Sequence, residues 1–373
     1  KGKAYYCDCS IERLELMREE QIAKKEKPKY DRCCRDKGLK NGVIRFLNPV
    51  DGNVSFSDYV KGDISISNSE LDDLIISRSD GSPTYNLTVV VDDHDMAIEC
   101  VIRGDDHINN TPKQINLYEA MDWPSPKFAH VPMILGSDGS RLSKRHGALN
   151  LLSYRDEGLL PFALLNYIVR LGWSHGDQEI FSVDEMINLF DLRSINNSPA
   201  SFNQEKLEWI NHSHIKTTEV NELASNLKWH LDQLNIEVGD GPVLNEVIDA
   251  LRDRSKSLVD MAQSCAMFYN DFKEFDEVQA NKVFTQESKL ILVDLFTNLN
   301  DISSWTAENI HSTIKGICEA RDVGFGKVGQ PFRLAISGDG KAGSVDISAQ
   351  LVGKTRTLLR IQMALDYIDN INS

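Results

Sequence analysis

No apolar stretch in the 373 residues approaches the roughly 20 that a membrane-spanning helix needs, and no basic-then-apolar leader stands at the start. A membrane partner is not expected, and the cytoplasm is the expected location. Internal repeats and low-complexity tracts are also missing, which excludes a solenoid and a disordered array. Cysteines are few and odd in number, and four of the seven, Cys7, Cys9, Cys33 and Cys34, crowd into the first 34 positions. That spacing disfavours a disulfide framework and leaves either a metal site or free thiols. Cys100, Cys265 and Cys318 read as small apolar core residues. Positive charge is in the minority, 41 Lys plus Arg against 56 Asp plus Glu, for a net −15. Any binding of nucleic acid must therefore rest on local patches.

What is present fits a packed globular chain of two or three domains, with 41% apolar and 26% charged residues. Residues 1–40 carry twelve basic and eight acidic side chains, net +4, which leaves −19 on the other 333. Two further basic islands stand at Arg141, Lys144, Arg145 and at Lys354, Arg356, Arg360, each readable as a solvated face or as a phosphate contact. Periodicity predicts a helix from Ile11 to Lys24 and short strands within 43–66. The apolar, β-branched runs Leu87–Val91 and Glu99–Ile102 predict buried parallel strands. Thr111-Pro112 reads as a cap and first helical position, opening a helix to Met121. Phe128–Leu135 predicts a strand, and Gly136–Ser140 a turn. After Pro161 the pattern is helical almost throughout, with Arg333–Ser337 and Val345–Ile347 as extended exceptions.

The segment Arg141-Leu142-Ser143-Lys144-Arg145 follows an apolar strand and a glycine-rich turn. Cations on a movable loop suit chemistry on a polyphosphate, where charge must be met as it develops in the transition state. Taken alone, the segment is equally readable as a surface basic turn. With its flanks, HVPMILGSDGS before and HG after, it resembles the mobile KMSKS-type signature of class I aminoacyl-tRNA synthetases. SPTYN at 82–86, VVVDDHDM at 89–96, VIRGDDHINNTPKQ at 101–114 and LLNYIVRLGWSHGDQEIF at 164–181 resemble the bacterial glutamyl branch of that family. FNQEKLEWINH at 202–212, GFGKVGQPFR at 324–333 and the terminal GKTRTLLRI extend the likeness over nearly the whole chain.

The resemblance implies α/β plus all-α architecture: the second half of a Rossmann-type class I synthetase catalytic domain, with an acceptor-binding insert and a helical C-terminal anticodon-binding region. The implied division is 1–75 for the zinc and acceptor-binding insert, 76–150 for the catalytic half, 151–218 for a helical connecting domain and 219–373 for the anticodon region. The implied reaction joins glutamate to tRNA(Glu) through a glutamyl-adenylate, using ATP and Mg²⁺, in a monomer. Lys144, Ser143, Arg141 and Arg145 are the implied catalytic loop. Lys144, Asp106 and His107 fall on the ATP side. Tyr85 and Arg103 map onto a glutamate-contacting pair, and a guanidinium suits a carboxylate. Arg252, Arg254, Lys256 and Lys354 are the expected tRNA contacts.

Two departures from the family pattern bear on these expectations. No HIGH-type motif occurs, and the chain opens with Lys1 in what reads as a folded segment. Both predict a missing upstream region, without which the chain as it stands should not catalyse. At the metal site the family's C-x-C and C-x-H read Cys7, Cys9, Cys34 and Asp36, so Zn²⁺ would take a carboxylate in place of an imidazole, or Cys33 as fourth ligand. Metal-free thiols are the alternative. The rival readings of function are a non-catalytic tRNA-binding fragment, the glutaminyl relative and the glutamyl-queuosine paralogue. The helical C-terminal pattern speaks against the last two.

Overall fold

The computed structural model describes residues 1–142, 150–239 and 241–371. The chain divides into two compact units, one of Lys1–His146, Val169–Gln178 and Glu185–Phe202, the other of Gly147–Ile168, Glu179–Asp184 and Asn203–Ser373. The first unit carries the strands β1 (Ala4–Cys7), β2 (Val43–Phe46), β3 (Asn53–Asp58), β4 (Gly62–Ser67), β5 (Ile75–Ser77), β6 (Cys100–Gly104), β7 (Lys127–Val131), β8 (Ile134–Leu135) and β9 (Ala200–Ser201). They form sheets ordered β1-β2-β5, β4-β3-β7-β6 and β8-β9. Three helices accompany them: α1 (Ile11–Ala23), α2 (Tyr85–Asp95) and α3 (Thr111–Met121).

Helix α3 is the hub of this unit. Its Leu117 and Tyr118 pack with Phe46 of β2 and Val90 of α2. Its Ile115 packs with Val54 of β3 and Phe128 of β7. Between these faces the buried Asn116 amide donates to Asn48 Oδ1 at 2.8 Å and to Asn68 Oδ1 at 2.9 Å. Strand β3 meets β7 in parallel, Asp58 opposite Phe128. The sheet therefore crosses the expected boundary at 75/76, and Asp58 joins the layer that holds Arg103.

Several expectations need correction. Leu87–Val91 is not a strand but the middle of α2. β-Branching disfavours a helix by only a few tenths of a kcal/mol per residue. Packing of Val89 and Val90 on Phe46, Leu117 and Tyr118 outweighs it. Thr111 is the first helical residue rather than the cap, a place taken by Asn110. The strand expected over 128–135 is split into β7 and β8 around Pro132, which has no N–H for a ladder. The strand expected over Glu99–Ile102 is present as β6, Cys100–Gly104, parallel to β7.

Thirteen further helices follow among the described residues: α4 (Leu151–Asp156), α5 (Pro161–Arg170), α6 (Val183–Leu189), α7 (Gln204–Thr217), α8 (Val220–Gln233), α9 (Leu244–Leu251) and α10 (Leu258–Tyr269). The series ends with α11 (Glu277–Val283), α12 (Gln286–Asn300), α13 (Ala307–Arg321), α14 (Phe325–Ser337), α15 (Val345–Val352) and α16 (Lys354–Ile371). Caps set many of the starts: Asn203, Ser257 and Thr306 each accept a backbone N–H from the first turn, and Thr285 with Ser288 makes a reciprocal capping box. The two segments expected to be extended are helical. Arg333–Ser337 ends α14, where Leu334, Ala335 and Ile336 are all buried. Val345–Ile347 opens α15, whose buried Val345, Ser348, Ala349 and Val352 have helical spacing. Gly338 stops α14 at φ +81, a conformation that an L side chain resists.

Candidate functional site

In the first unit, β6 and β7 run parallel with Arg103 opposite His130. Polar groups at the carboxyl ends of parallel strands are the usual ligand position of an open α/β sheet. The half-buried Arg103 is held on two of its three nitrogens. Nε donates to His130 Nε2 at 3.1 Å, and Nη2 donates to Thr111 Oγ1 at 2.7 Å and to Gln114 Oε1 at 2.9 Å. Those bonds leave Nη1 over. Burial pushes the guanidinium pKa down, and Tyr85 and Asp93 act against it. Behind Arg103, His130 Nδ1 lies 2.6 Å from Asp58 Oδ2, and both side chains are wholly buried. Asp58 also accepts the backbone N–H groups of Val60, Lys61 and His130. Burial alone would raise its carboxyl pKa, but these donors and the imidazole hold it below the usual range.

Around Arg103 stand most of the expected active-site residues. Tyr85, at the first turn of α2, is half exposed, with its ring 6.0 Å from that of His107. Asp106 and His107 lie on the 3₁₀ turn Asp105–Asn110 that follows β6 directly. Gly104 precedes that turn, where a Cβ would stand 2.6 Å from Asp106 Oδ1, so glycine is what allows the carboxylate to fold back. Asp106 Oδ2 pairs with Arg141 Nη1 at 3.1 Å. Arg141 itself is bridged to Leu135 across the 136–140 turn. Ser143, Lys144 and Arg145 lie outside the described residues.

Near the start of the chain, the sulfurs of Cys7, Cys9 and Cys34 all lie within 4.8 Å of one another. Cys33 Sγ is 3.6 Å from Cys9 Sγ and 3.8 Å from Cys34 Sγ. Tetrahedral zinc with Zn–S bonds of about 2.3 Å places its sulfurs about 3.8 Å apart, so the donor set fits such an ion. Asp36 is exposed and stands outside the three-cysteine group. Against the sulfurs lies Tyr30, whose hydroxyl is 3.3 Å from Cys7 Sγ and whose ring carries the Arg45 guanidinium at 3.7 Å.

The expected tRNA-contacting cations of the second unit divide by environment. Arg252 is turned inward, donating to the carbonyls of Ile215 and Thr218 and pairing with Asp249 at 3.0 Å. Lys354 Nζ donates to the carbonyls of Asn300 and Ile302, both at 2.8 Å. Arg254 and Lys256 are exposed. Arg254 lines a cleft of about 290 Å³ together with Arg333, Lys341, Ser255, Asp260 and Gly343. Arg333 Nε is buried and has no hydrogen-bond partner. Sequence reasoning passed over Arg333, Lys341, His130 and Asp58. Arg333 and His130 stand in the stretches GFGKVGQPFR and HVPM that carried the resemblance, whereas nothing local marks Asp58.

Fold and site together define a class I aminoacyl-tRNA synthetase. The model of the "tRNA synthetases class I (E and Q), catalytic domain" family matches residues 1–209, and that of the "Anticodon binding domain" family matches residues 200–365. A glutamate–tRNA ligase of Vesicomyosocius okutanii is 58% identical over 365 residues, 98% of this chain and 80% of that protein. One of Ruthia magnifica is 58% identical over 364 residues with the same shares. Among solved structures, a glutamate tRNA ligase of Elizabethkingia meningosepticum in complex with its amino acid is similar at TM-score 0.84 and 30% identity, over 99% of this chain and 80% of that one. A glutamate-tRNA synthetase of Elizabethkingia anophelis is similar at TM-score 0.78 and 30% identity, over 98% and 79%. The chain belongs to the glutamate–tRNA ligase family.

Proposed function

We propose that this protein attaches glutamate to tRNA(Glu) at the expense of ATP. The observation that carries the reading is the guanidinium of Arg103, fixed on two nitrogens at the carboxyl end of β6 with Tyr85, Asp106, His107 and Arg141 around it. A carboxylate oxygen of glutamate attacks the α-phosphorus of ATP and pyrophosphate leaves. The ribose hydroxyl of tRNA then takes the glutamyl group, loses its proton and releases AMP. No side chain is needed as nucleophile, so catalysis rests on positioning and on charge. Arg103 and Tyr85 hold glutamate, Asp106 and His107 face the nucleotide, and Arg141, Ser143, Lys144 and Arg145 form the loop that meets the phosphates. Mg²⁺, when bound, adds neutralising charge on the phosphates.

Zinc fits Cys7, Cys9 and Cys34, with Cys33 better placed than Asp36 as the fourth donor. Its role would be to hold the insert in shape. On the tRNA side, Arg252 and Lys354 already serve backbone carbonyls, so the reading moves to Arg254 and Lys256 and adds Arg333 and Lys341 of the same cleft. Residues 1–75 would grip the acceptor end, 151–218 the stem and 219–373 the anticodon. No helix among the described residues is long and apolar enough to cross a membrane. A cytoplasmic monomer is the form we propose. The test is charging of tRNA(Glu) by the full-length protein with labelled glutamate or glutamine. Transfer of glutamate is expected, and transfer of glutamine alone would favour the glutaminyl relative.

A further inference from the structure

We infer that Asp58 and His130 are positioning residues for Arg103, and that they act by fixing one tautomer of the imidazole. The inference rests on the reading of Arg103 as the partner of the glutamate carboxylate. Neither residue reaches the ligand side itself, since both side chains are wholly buried behind the guanidinium.

Arg103 Nε carries a hydrogen and can only donate, so His130 Nε2, 3.1 Å away, must present a lone pair. A neutral imidazole with a bare Nε2 carries its proton on Nδ1, and Nδ1 faces Asp58 Oδ2 at 2.6 Å. A carboxylate accepts there, so the Asp58 contact selects the tautomer that Arg103 requires. The carboxylate is in turn kept charged and immobile by the N–H groups of Val60, Lys61 and His130. Burial and the adjacent Arg103 both push the His130 pKa down, against the pull of Asp58 and Asp105, which keeps the ring neutral. Thr111 Oγ1, 3.0 Å from the same Nε2 and 2.7 Å from Arg103 Nη2, closes the clamp with Gln114.

Three elements distant in sequence meet here. Asp58 ends β3, Arg103 stands in β6 and His130 in β7; Arg103 is opposite His130, and Asp58, whose register partner is Phe128, reaches the His130 ring from the end of the neighbouring strand. With Nε and Nη2 held by three acceptors, the guanidinium plane is fixed, and Nη1, beside Tyr85, is the nitrogen these bonds leave over. Asp58 also serves the fold, since its carboxylate accepts the backbone N–H groups of Val60, Lys61 and His130. The neutral His130 ring hydrogen-bonds side chains, those of Asp58, Arg103 and Thr111, and its place against a buried carboxylate that is costly to desolvate is explained by what it does to Arg103.

The experiment compares Arg103→Lys, His130→Ala, His130→Gln and Asp58→Asn in the full-length protein by glutamate-dependent pyrophosphate exchange, with thermal unfolding of each. Misplacement of a binding group by about 1 Å costs on the order of tenfold to a hundredfold, so His130→Ala and Asp58→Asn are expected to raise the glutamate KM by about tenfold or more. The ATP KM should stay within about twofold of wild type, because the clamp touches only the amino-acid side. His130→Gln offers a carbonyl oxygen near the place of Nε2 and should recover much of the loss. An unchanged glutamate KM in Arg103→Lys would overturn the reading of Arg103. A raised KM in Arg103→Lys beside wild-type values in His130→Ala and Asp58→Asn would overturn the positioning role alone. Loss of both KM values together, or a His130→Gln variant no better than His130→Ala at equal thermal stability, would also overturn it. If His130→Ala does not fold, the Gln and Asp58→Asn variants decide.

Discussion

Arg333→Met should make the second unit more stable and the protein a poorer ligand for tRNA. Arg333 Nε is buried without a hydrogen-bond partner, and burial and the neighbouring Arg254 both push the guanidinium pKa down. An unsatisfied buried donor costs about 1–3 kcal/mol, and methionine removes it at similar side-chain length. The counter-charge Asp346 does not depend on Arg333, since it accepts from Ser344 and lies 2.8 Å from His311 Nδ1. A net gain of about 1 kcal/mol corresponds to a rise in Tm of about 2–4 °C for a unit of this size. Binding should move the other way, because Arg333 lines the cleft where RNA would supply an acceptor for its guanidinium. Charge-assisted hydrogen bonds are worth about 1.5–3 kcal/mol, so tRNA(Glu) affinity should fall roughly tenfold to a hundredfold. Differential scanning calorimetry and filter binding at one fixed salt concentration check the two halves. A lower Tm with unchanged affinity would show Arg333 to be a structural cation and refute the reasoning.

Lys144→Ala should slow adenylation by at least about tenfold, roughly 1.4 kcal/mol, with little change in tRNA affinity, and pyrophosphate exchange at the wild-type rate would remove Lys144 from the mechanism. Cys9→Ser should reduce bound zinc from about one equivalent to none by elemental analysis. In the same assay Cys33→Ser should lose metal where Asp36→Asn keeps it, and the reverse pattern would restore Asp36 as the ligand. Arg360→Met should destabilise the second unit by about 2–4 kcal/mol, seen as a fall in Tm, because the buried carbonyls of Met267 and Ile336 lose their donor. Its tRNA affinity, measured on folded protein, should stay at the wild-type value.

The class of the protein and the residues at the end of β6 were legible because they stand in short contiguous motifs. Arg103, Asp106, His107 and Tyr85 fall within 23 positions, and the fold brings them together without long detours. Asp58 was not legible, since its partner lies 72 residues away and only the β3–β7 pairing makes them neighbours. Secondary structure failed where local preference and burial disagree. Val89-Val90-Val91 and Arg333–Ser337 carry β-branched or mixed apolar runs that a strand would also accept, and the packing partners that decide for helix are far along the chain.

Charge is the instructive case, because the same electrostatics serves two ends. Lys354, Arg356 and Arg360 read as a phosphate-binding island. Lys354 instead reaches carbonyls at the end of α12, Arg356 the carbonyl of Phe268 in α10, and Arg360 those of α10 and α14. Helix C-termini expose carbonyls that no intrahelical N–H can meet, and their partial negative charge attracts a cation much as a phosphate does. A run of basic residues therefore cannot announce which anion it meets. Burial of the partner decides: where helix ends converge, the cations are consumed by the fold. Arg254 and Arg333 differ: they line one cleft as like charges, and Arg333 Nε has no hydrogen-bond partner.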